Sequence, residues 1–450
     1  MTLLDLAVTG ADVLLPDGQR PCTIGIRGGK FVEPTEPVDW GRCSEVLDAT
    51  GLVAMPGIID AHNHPYYDDD MVEFATAAAY GGVTSLASFA GIHLNTVQAQ
   101  PPSAVTVADD FISRASGATL LDFAVHAIVG SGDEPDLTVR RLTDLGIRSI
   151  KIFLAFPGQR MVDDATALAF MQAAARHDVL CMVHCENGSA TDLLERQAIQ
   201  AGRTSAAAYA SSRPAALEAE AVYRALALAE TAGCTLYLVH ISCAQSLDVI
   251  DYFRNRGNIP IYVETCPHYL LLDSDDLNRL GGLAKISPPL RTSSDIEALW
   301  QAIHDQVVDV IASDCSGQRA APKRVDDIFQ APYGIPGVEH MLPLMWDEAV
   351  NRRGLPPSLL ADMMSRNPAQ IFRLAGKGRI APGADADLSL VDPRTTWTVH
   401  ARDQHGNSDY SLYEGRALVG RPVHTIAAGR HLLRAGALPA SARHGQYLSR

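Results

Sequence analysis

Positive charge is what this 450-residue chain has least of: 37 lysines and arginines stand against 52 aspartates and glutamates, a formal net charge of −15. Such a surface has no basic stripe with which to displace counterions from a polyanion, so nucleic acids and anionic membrane surfaces are excluded as expected partners. No apolar run comes near the ~20 residues that a bilayer-spanning helix requires. The N-terminal MTLLDLAVTGADVLLPDG has no basic segment leading into an apolar stretch, so no secretory signal is read there. A cytoplasmic protein is the expectation. The eight cysteines (Cys22, Cys43, Cys181, Cys185, Cys234, Cys243, Cys266, Cys315) contain no CxxC pair. Several sit in apolar runs, where a thiol behaves as a small hydrophobe, so buried thiols are expected rather than disulfides. Internal repeats and low-complexity linkers are also missing.

What is present is a large apolar content, 47% of residues, enough to bury a substantial core. Eight apolar, β-branched runs follow one another: LVAMPGIIDAH, VTSLASFA, LDFAVHAIV, IRSIKIFLAF, VLCMVHC, CTLYLVHIS, IPIYVETC and VVDVIASD. Helical-period stretches such as DDATALAFMQAAARH separate them. Continuously apolar strands are buried on both faces, which parallel sheets require. Eight strand-then-helix units predict an α/β fold, a (β/α)8 TIM barrel, over residues 56–374. Residues 1–55 and 375–450 instead carry short alternating segments and turn signals, such as TIGIRGGKFVEP and GRIAPGADADLSLVDP. The two ends are expected to meet as one small β-sandwich.

Barrel enzymes place their chemistry at the C-terminal ends of the strands. The first run ends in Asp60-Ala61-His62-Asn63-His64, and side-chain alternation points His62 and His64 the same way. The fourth carries Lys151; the fifth, sixth and eighth end with His184, His240 and Asp314. Singly, a histidine here is an ordinary hydrogen-bonded core residue, Lys151 the partner of some acid, and Asp314 a loop cap. Together they are five groups of the type that binds zinc on four strand ends of one barrel face. A lysine among Ile150, Ile152 and Phe153 is costly as an ammonium, and burial makes its neutral amine available. Such an amine takes up carbon dioxide, and the resulting carbamate has two anionic oxygens with which to bridge two cations.

The ordered set PGIIDAHNH, IKIFLAF, MVHCENG, SRPAALEAEA, LVHIS, ETCPHYL, KISPPLR, YGIPGVEHMLPL and NPAQIFRLAGKGRIAPGADADLSLVDP resembles the amidohydrolase superfamily over nearly the whole chain. The branch is that of hydantoinases, dihydropyrimidinases, allantoinases and dihydroorotases, and the first two are the nearest in character. The resemblance implies a binuclear hydrolase that opens a small cyclic amide. His62, His64 and Asp314 would hold one divalent ion, His184 and His240 the other, and carboxylated Lys151 would bridge them. Zinc is the implied metal, and the ligand set also suits manganese or cobalt. A metal-bridging hydroxide would attack the carbonyl while Asp314 moves the proton to the leaving nitrogen. Relatives assemble as homotetramers or homodimers, which sets the same expectation here.

The substrate side departs from that pattern. Where such enzymes carry a tyrosine that holds the oxyanion, this chain has Phe156. Pro65-Tyr66-Tyr67 follows the histidine pair, without the arginine that would grip a dihydroorotate carboxylate. Tyr333 replaces an asparagine, and Ser287 is retained. Phe156, Ser287, Tyr66, Tyr67 and Tyr333 are therefore the expected substrate contacts, with one of the phenols replacing the missing donor. The alternatives are an amidohydrolase of linear or aromatic amides, and a non-catalytic relative of the kind that regulates the cytoskeleton. The complete set of six metal-competent residues speaks against the latter.

Overall fold

The computed structural model describes residues 4–32, 43–91, 102–439 and 445–450. Eight parallel strands lie side by side in chain order: Ile58–Asn63, Val83–Ala90, Asp122–Ile128, Ser149–Phe153, Leu180–His184, Leu236–Leu238, Ile261–Thr265 and Val310–Ile311. These are the eight runs read from the sequence. The first, second, fourth and fifth are buried at every position, as strands covered on both faces must be.

The last strand returns to the first just beyond its own end. Asn63 bridges Cys315, and the His64 N–H donates to the Cys315 carbonyl at 2.8 Å. Below them the buried Asp60 carboxylate accepts from the Ser313 N–H at 2.9 Å and from its hydroxyl at 2.7 Å. The seam is thus closed partly by a side chain, and it lies directly beneath His62, His64 and Asp314.

Helices return the chain between strands, and their starts are capped. Asp70 accepts from the N–H groups of Val72 and Glu73 ahead of Met71–Tyr80, and Asp163 accepts from Thr166 ahead of Asp164–Arg176. Thr292 and Asp295 form a reciprocal capping box at Ser293–His304. Each such cap is worth about 1 kcal/mol of helix stability. No described helix is long and apolar enough to cross a membrane. All eight cysteines are free; six are buried, and Cys22 and Cys43 are half-buried.

The small β-sandwich draws on both ends of the chain. In its six-stranded sheet, Val53–Pro56 pairs in parallel with Asp12–Leu15 and antiparallel with Leu388–Thr398. A four-stranded sheet has the order Lys30–Phe31, Ile24–Arg27, Leu4–Thr9, Cys43–Asp48. Leu6, Val8, Val13, Ile24, Ile26, Leu388, Leu390 and Ile426 fill the space between them. Lys377 pins this unit to the barrel, its ammonium 2.6 Å from Asp122 and 2.8 Å from Asp387.

Candidate active site

His62 and His64 stand at the end of the first strand, and alternation does turn both rings into the barrel mouth. Their Nε2 atoms are 3.2 Å apart, and each faces Asp314 Oδ1, at 3.0 and 3.2 Å respectively. These three side chains converge tightly enough to share one cation. Behind them Glu264, on the seventh strand, meets His62 Nδ1 at 2.6 Å and the Tyr237 hydroxyl at 2.7 Å. A carboxylate on the far nitrogen fixes the tautomer, leaving Nε2 facing the centre. Burial opposes a charge on His62, but Glu264 and Asp314 outweigh it and hold the ring up at about 9. Burial takes His64 down to about 4. A proton held between His62 and Asp314 is the kind that a metal displaces on binding.

His184 and His240 form the second half. His184 Nδ1 lies 3.0 Å from His240 Nε2, while His184 Nε2 meets Glu186 Oε2 at 2.8 Å. Burial lowers both rings, so both are neutral and fit to donate a lone pair. The rings of His62 and His240 are 5.5 Å apart, which makes the two halves one site.

His240 and Asp314 do not sit on strands. They follow strand ends at Leu238 and Ile311, on turns with φ of 40° and 45°. Left-handed backbone at residues other than glycine costs of order 1–3 kcal/mol and persists only where the surroundings enforce it. Here the His240 N–H donates to Glu264 Oε1 at 3.0 Å, so one carboxylate orients a ring in one half and a backbone in the other. The sequence pattern placed these two side chains at the correct end of the barrel but could not show the turns.

Lys151 lines the same pocket, 1% exposed, and its Nζ has no hydrogen-bond partner. The rings of Phe89 and Phe153 flank it, each centroid 5.2 Å away. Burial pulls its ammonium down to about 8, against the partly offsetting pull of Glu264 and Asp314.

The pocket over these groups is walled by Tyr66, Tyr67, Ile128, Phe153, Phe156, Arg160, Ser287 and Tyr333. All five expected substrate contacts therefore line it. Phe156 has φ of 66°, and its carbonyl accepts from the N–H groups of Gln159, Arg160 and Met161, which turns Arg160 back to the rim. The three phenols differ. Tyr66 Oη meets His64 Nδ1 at 2.8 Å, Tyr67 stacks on Tyr66, and Tyr333 Oη is engaged by Arg213 at 3.1 Å. Glu264, Glu186, Arg213 and Arg160 are the site residues that the sequence reading did not name, although the first three lie inside quoted motifs. The signal was available for Glu264, the one charge in an otherwise apolar seventh strand.

Comparison with known proteins finds relatives along the whole chain. The model of the amidohydrolase family matches residues 53–431. The allantoinase of Rubrobacter xylanophilus is 36% identical over 448 residues, 97% of this chain and 96% of that protein. The D-hydantoinase of Rhizobium radiobacter is 33% identical over 99% of both chains. Among solved structures, the dihydropyrimidinase of Brevibacillus agri superposes with a TM-score of 0.91 at 30% identity, covering 99% of this chain and 98% of that one. From the match over most of its length and the end-to-end likeness to these relatives, this chain belongs to the amidohydrolase family.

Proposed function

We propose that the protein hydrolyses a small cyclic amide or ureide of hydantoin, dihydropyrimidine, allantoin or cyclic imide type, with two divalent cations in the pocket. Lys151 carries this reading. A lysine sealed among aromatic rings, without a partner and eased toward its neutral form, is costly as an ammonium and suited to conversion into an anion. Its amine adds carbon dioxide and sheds one proton, leaving a carbamate with two oxygens between the two histidine pairs.

The residues present fit such a pair of ions: His62, His64 and Asp314 for one, His184 and His240 for the other, with carboxylated Lys151 common to both. Nitrogen and oxygen donors of this kind suit zinc and also accept manganese or cobalt. When bound, two such ions lower the pKa of a shared water and polarise an amide carbonyl.

The chain's own groups do the rest. Asp314 turns Oδ1 to the histidines, which leaves Oδ2 to take the proton of the attacking water and return it to the departing nitrogen. Phe156, Phe153 and Tyr333 give an aromatic wall of mutually inclined rings, and Tyr66 and Tyr67 add a stacked pair. Phe156 offers no donor, so oxyanion stabilisation falls to other groups on the walls or to the cations. Ser287 gives its hydroxyl proton to Glu186, so what it offers a ring is backbone. The product is a ring-opened ureido or amide acid.

The test is turnover of metal-loaded protein on hydantoin, dihydrouracil, allantoin, dihydroorotate, succinimide and phthalimide, with Asp314→Asn alongside. Opening of one ring type, absent in the variant, is the expected result. Silence on all six with two metals bound would overturn ring opening and favour another amide.

A further inference from the structure

Arg213 is a buried guanidinium that reaches both Glu186, the partner of His184, and the substrate side of the pocket. It is 3% exposed, lies just before the helix Ala215–Ala232, and spends its donors in three directions. Nη1 donates to Glu186 Oε2 at 3.0 Å and to Ser287 Oγ at 2.9 Å. Nη2 donates to Tyr333 Oη at 3.1 Å, and Nε to Glu195 Oε1 at 2.7 Å. Glu186 Oε2 is the same atom that meets His184 Nε2, and it also receives the Ser287 hydroxyl proton. The guanidinium lies over Phe156, 5.4 Å from the ring centroid, and over Tyr333 at 5.5 Å. Three residues of the pocket lining, Phe156, Ser287 and Tyr333, therefore meet one cation, and a fourth, His184, reaches it through Glu186.

We infer that Arg213 is a positioning residue that ties the orientation of His184 to the placement of the substrate wall. The inference rests on the reading of His184 and His240 as a metal-binding pair. Its chemistry follows from the fork. The Glu186 carboxylate fixes which nitrogen of His184 bears the proton, and Arg213 fixes that carboxylate. The remaining N–H groups hold Ser287 and Tyr333 in the same frame. A lysine keeps the charge but is a single point with no planar fork, and it cannot satisfy all these acceptors at once. Glu186 already leaves its Oε1 without a partner, so its place depends on the contacts to Oε2. The other histidine pair is oriented through Glu264 and Tyr66, outside the contacts of Arg213, and Glu264 also holds the His240 N–H. Loosening Arg213 should therefore act on one half of the centre only.

The decisive experiment is zinc titration of metal-stripped protein, which needs no substrate and so separates this inference from ring opening. In Arg213→Lys one of the two ions should bind ten- to a hundredfold more weakly, the effect expected when a ligand loses its outer partner, while the other holds as in the parent. On any amide that the parent hydrolyses, KM should rise together with the fall in kcat. Glu195→Gln removes the charge of one partner and spares the guanidinium. It should show the same one-sided weakening to a smaller degree, and it serves if the lysine variant does not fold. Two ions bound as in the parent in either folded variant, or both ions weakened equally, would overturn the inference.

Discussion

The two halves of the proposed metal centre are built differently. His62, His64 and Asp314 close on one another within hydrogen-bond distance and are anchored on barrel strands and the seam. His184 and His240 meet each other; His184 is supported through Glu186, which leads into loops that also shape the substrate wall, and the His240 backbone is held by Glu264. The first half is a preformed cluster of ligands. The second is a ligand pair whose geometry depends on the pocket. What a substrate touches is therefore continuous with one half through Arg213, and reaches the other through Tyr66.

Asp314→Asn should break the first half most severely. It removes the carboxylate that faces both rings and the proposed proton carrier, and turnover should fall by at least the 10²–10⁴-fold ascribed to acid–base catalysis, as steady-state kinetics would show. Lys151→Met should abolish activity and yet stabilise the metal-free protein. The lysine's depressed folded value of about 8, against 10.5, is a penalty present in full below pH 8 and fading as the pH rises to 10.5. At neutral pH this amounts to roughly 3 kcal/mol at most. Urea unfolding of metal-free protein should show the variant ahead at pH 7 and the two chains converging near pH 10. Glu264→Gln should weaken the ion at His62 and His64 about tenfold or more in zinc titration, mirroring the effect of Arg213→Lys on the other half. The smallest change is expected of Tyr66→Phe, which loses one neutral hydrogen bond to His64, worth about 1 kcal/mol or a severalfold change in metal affinity.

Most of the barrel was legible because each strand is an uninterrupted apolar run, and burial on both faces leaves that mark whatever the neighbours are. The six ligand-type residues stood out only as a set: each alone has an ordinary structural reading, and it is their joint placement on one barrel face that singles them out. The outer partners were less legible. Glu186 and Arg213 are charged residues of ordinary type that meet across 27 positions only when the segment after the fifth strand folds; Glu264 stood out as a charge in a strand, but only barrel closure brings it to His62 across 202. The turns at His240 and Asp314 were hidden because strand alternation says nothing beyond the last paired residue. Left-handed backbone at a histidine or an aspartate is imposed by contacts such as that of Glu264 with the His240 amide, which no local pattern contains.

The strand Val53–Pro56 has a consequence for how the chain is made. It leads straight into the first barrel strand, yet one edge of it is covered only by Leu388–Thr398, in a register that sets Val53 opposite Val391. During synthesis at ~5–20 residues per second, that edge waits on the order of half a minute for its partner. Over that interval the nascent protein carries an unpaired apolar strand, the kind of edge that recruits other chains. Expression yield should depend on conditions that slow elongation or crowd the ribosomes, even when the finished enzyme is stable.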